Sequence, residues 1–417
     1  MTGTACLEAL WRELRPGQTV FLPGTTGESL ALAEALRADP GRAEGLHFLG
    51  MQVPGMNETL DYAGLADGTS FTTFMLPGCM KASFAAGRVD LVPRTYWGAA
   101  RQMAATPCDV ALAHVSPPDA AGRCSLGLAS DFTPLVWERA ARKVLLVNPQ
   151  MPALPGACSL PADAADLVIT LDGPVVATAP SAVAPDADAL AARVAALIPD
   201  GAALQTGIGG APGALWRHLT GHRNLRLYSG MANDWVLDLL DAGALATEGH
   251  VAGIAYGSAS FYERLARTDL VHFAPVPETH GLPALAAVSA LHSVNSALEV
   301  DLFGQVNVEW QGTALASGVG GGPDFMRGAM ASDGGRSIIA LPATARRGTV
   351  SRVVARLDRP TVGIARSDVD TVVTEHGVAD LRERGLDARA EAMIAIAAPE
   401  FRDGLAEEWR ALRTSFG

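Results

Sequence analysis

Lysine is almost absent from this 417-residue chain, and several motifs that identify common functional classes are missing as well. Lys81 and Lys143 are the only two lysines, and neither ends the glycine-rich stretch of a P-loop, so that phosphate-binding motif is excluded. No serine has glycine at both −2 and +2, which disfavours the nucleophile elbow of a serine thioesterase. The net charge of −12 lacks the basic excess that binding to a phosphate backbone requires, so we expect no nucleic acid partner.

Cysteine pairs, metal-ligand spacings and long apolar runs are also lacking. The five cysteines are odd in number and form no CxxC pair, which predicts unpaired thiols in a reducing compartment. His218 and His222 have no acidic residue in their turn, so they favour a surface position over zinc binding, and we expect no metal. Apolar runs stop at Gly, Pro or Asp before 18 residues, and Met1–Gly17 lacks the apolar core of a signal peptide. These patterns predict a cytoplasmic protein without a membrane partner.

Short apolar runs alternate with helical patterns along the chain, and 49% of its residues are hydrophobic. Such alternation predicts an α/β fold with mostly parallel sheets, and it excludes a disordered chain. The clearest predicted strands are Thr19–Leu22, Asp109–Val115, Val144–Val147 and Val168–Leu171. The Ala- and Pro-rich stretch Gly173–Asp188 has no amphipathic period and is typical of a linker. We therefore predict two α/β domains, residues 1–180 and residues 185–417.

Two glycine turns echo each other in the second half of the chain. The first is Gly207-Ile208-Gly209-Gly210-Ala211-Pro212, and the second is Gly318-Val319-Gly320-Gly321-Gly322-Pro323. Each is predicted to follow a strand and to precede a helix. The predicted strands are Ala202–Thr206 and Thr313–Ser317, and the predicted helices are Gly213–Leu219 and Asp324–Ala331. Glycine could serve only to form a tight turn with positive φ, or the backbone N–H groups could bind a phosphate, a carboxylate or an oxyanion. Neither turn is the G-x-G-x-x-G of a dinucleotide-binding fold.

A segment between the two turns, Asn295–Trp310, alternates apolar and polar residues on both sides of Phe303-Gly304. The alternation predicts a β-hairpin with one apolar and one polar face. Its acids fit a solvent-exposed face, and they equally fit the lining of a cleft.

These residues together resemble the acetyl-CoA hydrolase/transferase group of CoA-transferases, which includes 4-hydroxybutyrate and acetate CoA-transferases. The likeness follows the family order over most of the chain, through Val115-Ser-Pro-Pro-Asp119, Cys124-Ser-Leu-Gly127, Asn148-Pro-Gln-Met-Pro152, Leu204–Gly210, Asn295–Asn307, Ser317–Gly321, Asp324-Phe325, Arg327-Gly-Ala329, Ile339–Thr344, Gly348–Arg352 and Val372–Val378. The resemblance implies two open α/β domains of the CoA-transferase superfamily type, with the active-site cleft between them. It also implies that a glutamate carboxylate carries the acyl group and then CoA through covalent intermediates, with no metal or redox cofactor.

The position of that glutamate is where this sequence departs from the family. In Tyr228-Ser-Gly-Met-Ala-Asn-Asp234, the residues Ser229, Met231 and Asp234 match the pattern, but Gly230 stands where the nucleophile is expected. The residues assigned to the site by this reading form two groups. The first would bind CoA and oxyanions and contains Gly207, Ile208, Gly209, Gly210, Gly318, Val319, Gly320 and Gly321. The second would line the cleft and contains Gln205, Gly230, Asn295 and Glu299.

Three explanations of the missing glutamate stay open. In the first, another carboxylate takes the place of the glutamate, with Glu278 as the first candidate and Glu248 as the second. In the second, water attacks the thioester directly with Glu278 or His280 as general base, which would make the protein a thioesterase. In the third, the protein binds CoA esters without turnover.

We expect CoA transfer from a short-chain acyl-CoA to a small carboxylic acid. We expect no tightly bound cofactor, because CoA and acyl-CoA enter as substrates. Family likeness suggests a homo-oligomer, either a dimer or a tetramer.

Overall fold

A computed structural model of the chain describes residues 3–178, 185–207 and 210–416. Ile208 and Gly209 of the first glycine turn lie outside the described residues, as does the middle of the predicted linker. The described residues form two compact units. The first unit holds those up to residue 178 together with Gly230–Asp234 and Glu248–Thr279, and the second unit holds the others. The division into domains at residues 180–185 stays a prediction, since these compact units are not continuous in sequence.

Strands and helices follow one another throughout the described part of the chain. In chain order the strands are β1 Thr19–Phe21, β2 His47–Leu49, β3 Ser70–Thr73, β4 Val89–Leu91, β5 Val110–Val115, β6 Arg123–Ser125, β7 Arg142–Val147, β8 Ser159–Pro161, β9 Leu167–Thr170, β10 Ala203–Thr206, β11 Arg226–Ala232, β12 Val251–Ala255, β13 His272–Phe273, β14 Leu291–Asn295, β15 Glu299–Asp301, β16 Val306–Asn307, β17 Trp310–Gln311, β18 Ala314–Leu315, β19 Arg336–Ala340, β20 Thr344–Ala345, β21 Val350–Ser351, β22 Val353–Val354, β23 Thr371–Thr374 and β24 Gly377–Asp380. The α-helices are α1 Gly3–Glu13, α2 Leu30–Ala38, α3 Lys81–Ala85, α4 Tyr96–Ala105, α5 Thr133–Trp137, α6 Pro185–Ala195, α7 Gly210–Leu215, α8 Trp235–Asp241, α9 Ala259–Leu265, α10 Val276–Thr279, α11 Leu282–Ala286, α12 Gly322–Ala331, α13 Leu386–Ile396 and α14 Pro399–Thr414.

A seven-stranded sheet in the order β4-β3-β2-β1-β5-β7-β9 forms the centre of the first unit. All of its neighbouring strands pair in parallel. Every residue of β5 is buried, which explains why Val110–Val115 is apolar on both faces, with His114 as its one polar residue, rather than alternating. The predicted strands at β1, β5, β7 and β9 are confirmed. Strand order reverses between β1 and β5, so the loops that follow these two strands flank the crevice where open α/β sheets bind ligands.

In the second unit, β10 has the position in its sheet that β1 has in the first unit. β10 pairs in parallel with β11 on one side and with β14 on the other, and the sheet continues through β19 and β23. β24 then pairs antiparallel with β23. The order therefore reverses between β10 and β14, and the residues after these strands occupy the equivalent crevice. The two halves of the chain are α/β folds with mostly parallel sheets, as the sequence predicts.

The hairpin predicted at Asn295–Trp310 is confirmed, and the alternative of a solvent-exposed acidic face is wrong. β15 and β16 pair antiparallel, with Glu299 opposite Asn307 and Val300 opposite Val306. Asp301 is fully buried, and its carboxylate is satisfied there by backbone N–H bonds from Phe303, Gln305 and Leu357. The polar residues of the hairpin therefore hold the surrounding loops rather than face solvent.

The second glycine turn does not leave the main sheet of its unit. The strand predicted before it at Thr313–Ser317 is shorter, and β18 pairs only with β17, as a two-residue antiparallel hairpin, among the described strands. The helix that follows the turn, α12, begins at Gly322, two residues earlier than predicted. No helix in the described ranges combines the length and the apolar character needed to cross a bilayer.

Candidate functional site

A network of amide and hydroxyl groups occupies the crevice of the second unit. Gln205 lies on β10, and Ser293 and Asn295 lie on the neighbouring strand β14. The Ser293 hydroxyl donates to Gln205 Oε1 at 2.6 Å, and Asn295 Nδ2 donates to the same oxygen at 3.0 Å. Gln205 Nε2 donates back to Asn295 Oδ1 at 3.2 Å. All three side chains are buried, so this network fixes the orientation of the Asn295 amide.

Both glycine turns approach this one amide. A Cβ at Gly207 would stand 2.6 Å from Asn295 Oδ1, so only glycine fits at the end of β10. A Cβ at Gly322 would stand 3.5 Å from the same oxygen. Gly320 has φ +70°, a conformation that glycine adopts without strain. The structure thus brings Gln205, Asn295 and parts of both glycine turns together at the point where the strand order reverses.

A strained turn lies at the corresponding crevice of the first unit. Thr25 follows β1 and has φ +51°, which is uncommon for a threonine. Asn57 holds it by accepting from Thr25 N at 3.0 Å and donating to Thr25 O at 2.9 Å. The Thr25 hydroxyl donates to Asp131 Oδ2 at 3.0 Å. Backbone strain that several side chains maintain is common at functional sites.

Two carboxylates are buried beside this turn. Asp131 is 5% exposed, and burial raises its pKa to about 6, against opposing hydrogen bonds from Phe132 N and the Thr25 hydroxyl. Burial also raises the pKa of Glu28, whose oxygens accept from Asn57 Nδ2 at 2.9 Å and from the Tyr62 hydroxyl at 2.8 Å. Glu28 therefore has a neutral amide and a phenol as partners, and Asp131 has a hydroxyl and a backbone amide.

Gly230 is half-buried near the end of β11. Four residues later, Asp234 accepts from Ser258 N at 3.0 Å and also from the Ser258 hydroxyl. Since Ser258 is the N-cap of α9, Asp234 orients that helix and has a structural role. The match of Asp234 to the family pattern is therefore explained by its structural role near Gly230, and it does not indicate a catalytic role.

The predicted substitute carboxylates are exposed. The side chain of Glu278 is 60% exposed, and its Oε2 lies 3.6 Å from Nε2 of the equally exposed His272. Glu248 is exposed as well. His280 is buried against Phe325, with 4.5 Å between the ring centroids, and burial lowers its pKa to about 3. An imidazole with so low a pKa is a weak general base, and the catalytic role of Glu278 stays a prediction.

Glu299 has its carboxylate bound from two sides. Arg359 donates to both of its oxygens, at 2.8 and 2.5 Å, and Asn307 Nδ2 donates to Oε2 at 3.0 Å. A bidentate arginine with an added amide donor stabilises the hairpin described above. The assignment of Glu299 to the lining of a cleft stays a prediction.

Sequence reasoning did not identify Thr25, Asn57 or Asp131. The polar pair Thr25-Thr26 between two glycines, in the turn that follows β1, is the sign of an unusual turn that the sequence offers. Asp131 had no comparable sign, because it meets Thr25 only through the fold.

Comparisons with known proteins agree with the α/β fold of the chain. The family model of the acetyl-CoA hydrolase/transferase C-terminal domain matches residues 257–409. A 4-hydroxybutyrate coenzyme A transferase of Clostridium kluyveri is 33% identical over 401 residues, which cover 94% of this chain and 93% of that protein. The crystal structure of RipA from Yersinia pestis has a TM-score of 0.91 at 27% identity, over 98% of this chain and 97% of that one. A 4-hydroxybutyrate CoA-transferase from Porphyromonas gingivalis has a TM-score of 0.80 at 30% identity, with the same coverage.

Proposed function

Because the chain belongs to the acetyl-CoA hydrolase/transferase family and is an enzyme of the CoA-transferase type, we propose that it transfers CoA from a short-chain acyl-CoA to a small carboxylic acid. The observation that carries this proposal is the approach of both glycine turns to the fixed amide of Asn295. Backbone N–H groups in such turns suit the oxyanions that form when a thioester carbonyl is attacked.

In this proposal the two turns have one chemical task. Backbone N–H groups within residues 208–210 and Gly318–Gly321 bind oxyanions or the phosphates of CoA, whereas the N–H of Gly207 already donates to Val294 O at 2.9 Å. The Asn295 amide, which Gln205 holds in place, supports both turns where Gly207 and Gly322 approach it. The negative net charge of the protein does not oppose CoA binding, because local backbone amides provide the positive end of the interaction. CoA and acyl-CoA act as substrates, and no bound cofactor is needed for acyl transfer.

Names of relatives favour transfer over hydrolysis. Five relatives that align with more than two thirds of the chain are named CoA transferases, and their acyl groups include 4-hydroxybutyrate, succinyl and butyryl. Two that are named acetyl-CoA hydrolase align with 46% of it. Hydrolysis by water is the second candidate function, and it is favoured by Gly230, since glycine cannot form the acyl-enzyme that transfer through this position would need.

One assay separates the candidates. The protein is incubated with butyryl-CoA, with and without acetate, while new acyl-CoA and free thiol are measured. Acyl-CoA that forms only with acetate supports transfer, and free thiol without acetate supports hydrolysis. If neither product forms with a panel of short acyl-CoAs and acids, the proposal is wrong and the protein only binds CoA esters. Glu278→Gln in the same assay tests the exposed glutamate, and full activity would remove it as the nucleophile.

A further inference from the structure

Two segments of the first unit lie on either side of strand β12. On one side, Ser130 N donates to Gly253 O at 3.0 Å, and Ala255 N donates to Leu128 O at 2.8 Å. On the other side, Tyr256 N donates to Ala232 O at 2.9 Å. The first segment continues directly into Asp131, and the second is the end of β11 that contains Gly230. One strand therefore separates the buried carboxylate from the position where the resemblance places the missing nucleophile.

That strand carries a glycine where the two segments come closest. The point at which a Cβ of Gly253 would stand is 3.0 Å from Gly230 O and 3.7 Å from Asp131 Cβ. The same point is 3.8 Å from the Thr279 hydroxyl, which is also buried. Because positions 230 and 253 are both glycine, neither contributes a side chain between the Gly230 backbone and Asp131.

From this geometry we propose that Asp131 supplies the covalent carboxylate in place of the glutamate that the family resemblance implies at position 230. The inference rests on the proposed CoA transfer and assigns its central residue. Asp131 would be the catalytic residue, and Thr25 and Asn57 would position it.

The steps balance without any further reactant. Asp131 Oδ2 attacks the acyl-CoA carbonyl, forms an aspartyl–acyl anhydride and releases CoA thiolate. The thiolate attacks the aspartyl carbon, forms an aspartyl–CoA thioester and releases the first carboxylate with Oδ2 in it. The acceptor carboxylate then attacks the aspartyl carbon and returns the thiolate, which finally attacks the acceptor carbonyl. The products are the new acyl-CoA and a regenerated Asp131 that contains one oxygen from the acceptor.

Hydrogen bonds around Asp131 suit these steps. Two of the four attacks occur at the aspartyl carbon, so negative charge develops on Oδ1, which already accepts from Phe132 N at 2.8 Å. The Thr25 hydroxyl donates to Oδ2, the oxygen that is exchanged. A pKa near 6 keeps the carboxylate ionised at neutral pH yet more basic than an exposed aspartate.

Burial distinguishes Asp131 from Glu278. An acyl anhydride or an enzyme–CoA thioester is lost to water if it forms on an exposed side chain. Glu278 is 60% exposed, whereas Asp131 is 5% exposed. A buried carboxylate thus favours transfer to an acid over hydrolysis.

Isotope transfer tests the assignment on the unmodified protein. The enzyme is mixed with one equivalent of butyryl-CoA and with acetate labelled with 18O in both oxygens, in unlabelled water. New acetyl-CoA is measured, and the protein is digested with trypsin. Asp131 and Glu138 are the only side-chain carboxyls of the tryptic peptide Cys124–Arg139, so fragmentation identifies the labelled residue. We expect one 18O atom on Asp131, only when acyl-CoA is present.

Each result decides the matter. Acetyl-CoA formed with the label on another carboxyl, Glu278 included, or on no protein carboxyl, overturns the role of Asp131 while CoA transfer stands. If no acetyl-CoA forms, and no new acyl-CoA forms with the panel of short acyl-CoAs and acids, both the transfer and the role of Asp131 are refuted. Asp131→Asn should lower the transfer rate by about a thousand-fold or more and abolish labelling, whereas the exposed Asp163→Asn should change neither. Should Asp131→Asn fail to fold, the labelling of the unmodified protein still decides.

Discussion

Replacing Gly207 with alanine tests whether the first glycine turn is fixed by Asn295. The new methyl group would stand 2.6 Å from Asn295 Oδ1, far inside van der Waals contact. The Asn295 amide cannot move away freely, since it donates to Gln205 Oε1 at 3.0 Å and to the Ser293 hydroxyl at 2.9 Å. It also accepts from Gln205 Nε2. The substitution must therefore break part of this buried network or displace the end of β10.

The expected cost follows from that network. Each buried hydrogen bond contributes about 1 kcal/mol, and overpacking a dense site costs about 1–3 kcal/mol, so Gly207→Ala should destabilise this region by about 2 kcal/mol. Gly213→Ala is the matched control within α7, where no described atom beyond the chain neighbours and the helix's own backbone lies within 4 Å of the added Cβ. Removing a glycine from a helix should stabilise the protein by about 0.5–1 kcal/mol. The two alanine variants are therefore expected to have effects of opposite sign.

Hydrogen–deuterium exchange of the β10 and β14 backbone amides measures this loss of stability at the site itself. A local measurement is needed because a chain with two compact units need not unfold in a single step. A loss of about 2 kcal/mol should speed exchange there by roughly 30-fold. In an Asn295→Ala background the additional effect of Gly207→Ala should shrink, because the atom it meets is gone. If exchange in Gly207→Ala matches that in Gly213→Ala, or if Asn295→Ala leaves the effect unchanged, the fixed amide does not explain this glycine.

Three further outcomes follow from buried groups of the first unit. Gln52 is 1% exposed, and neither the nitrogen nor the oxygen of its side-chain amide has a hydrogen-bond partner among the described residues. Gln52→Leu should therefore raise the free energy of unfolding by about 1–3 kcal/mol, and an unchanged free energy in urea denaturation would contradict this. Gly253→Ala would place a methyl group 3.0 Å from Gly230 O and should reduce transfer activity, whereas Gly404→Ala, with open space around it, should not. Folding raises the pKa of Asp131 from 3.8 to about 6, so the folded state holds this proton more tightly, and the contribution of Asp131 to stability decreases as pH rises from about 4 to 6. The melting temperature of the wild type minus that of Asp131→Asn should therefore decrease as the pH rises over this range. A difference that stays constant would contradict the raised pKa of Asp131 as the cause.

Local patterns predicted the sheets well. Buried parallel strands such as β5 and β7 appear in the sequence as short apolar runs that end at Pro or Asn, since both sheet faces are covered. The glycine at the end of β10 was predictable for a similar reason, because glycine is favoured where the end of a strand makes a close contact, as Gly207 does with Asn295. The family resemblance extended these patterns to a fold and to an activity.

Contacts between distant segments were not predictable from local patterns. Thr25 and Asp131 are 106 positions apart and meet because β1 and β5 are neighbours in the sheet while their loops share one edge. The hairpin shows a second limit. Alternation placed Asp301 on a polar face, but it cannot reveal that this residue is buried and accepts a backbone N–H bond from Leu357 of another loop.

Placing a glutamate at position 230 tests whether this position and Asp131 share one catalytic role. Gly230→Glu alone would add a second carboxylate to the residue whose backbone oxygen is separated from the buried Asp131 by Gly253, and two like charges in a buried site raise the pKa of one partner. We therefore expect the single variant to transfer CoA more slowly than the wild type, with a pH dependence shifted upward. In Asp131→Asn the repulsion is gone, and Gly230→Glu should restore part of the lost transfer, with 18O now on the introduced glutamate. If Gly230→Glu raises activity in the wild type and does nothing in Asp131→Asn, the two positions do not share one catalytic role.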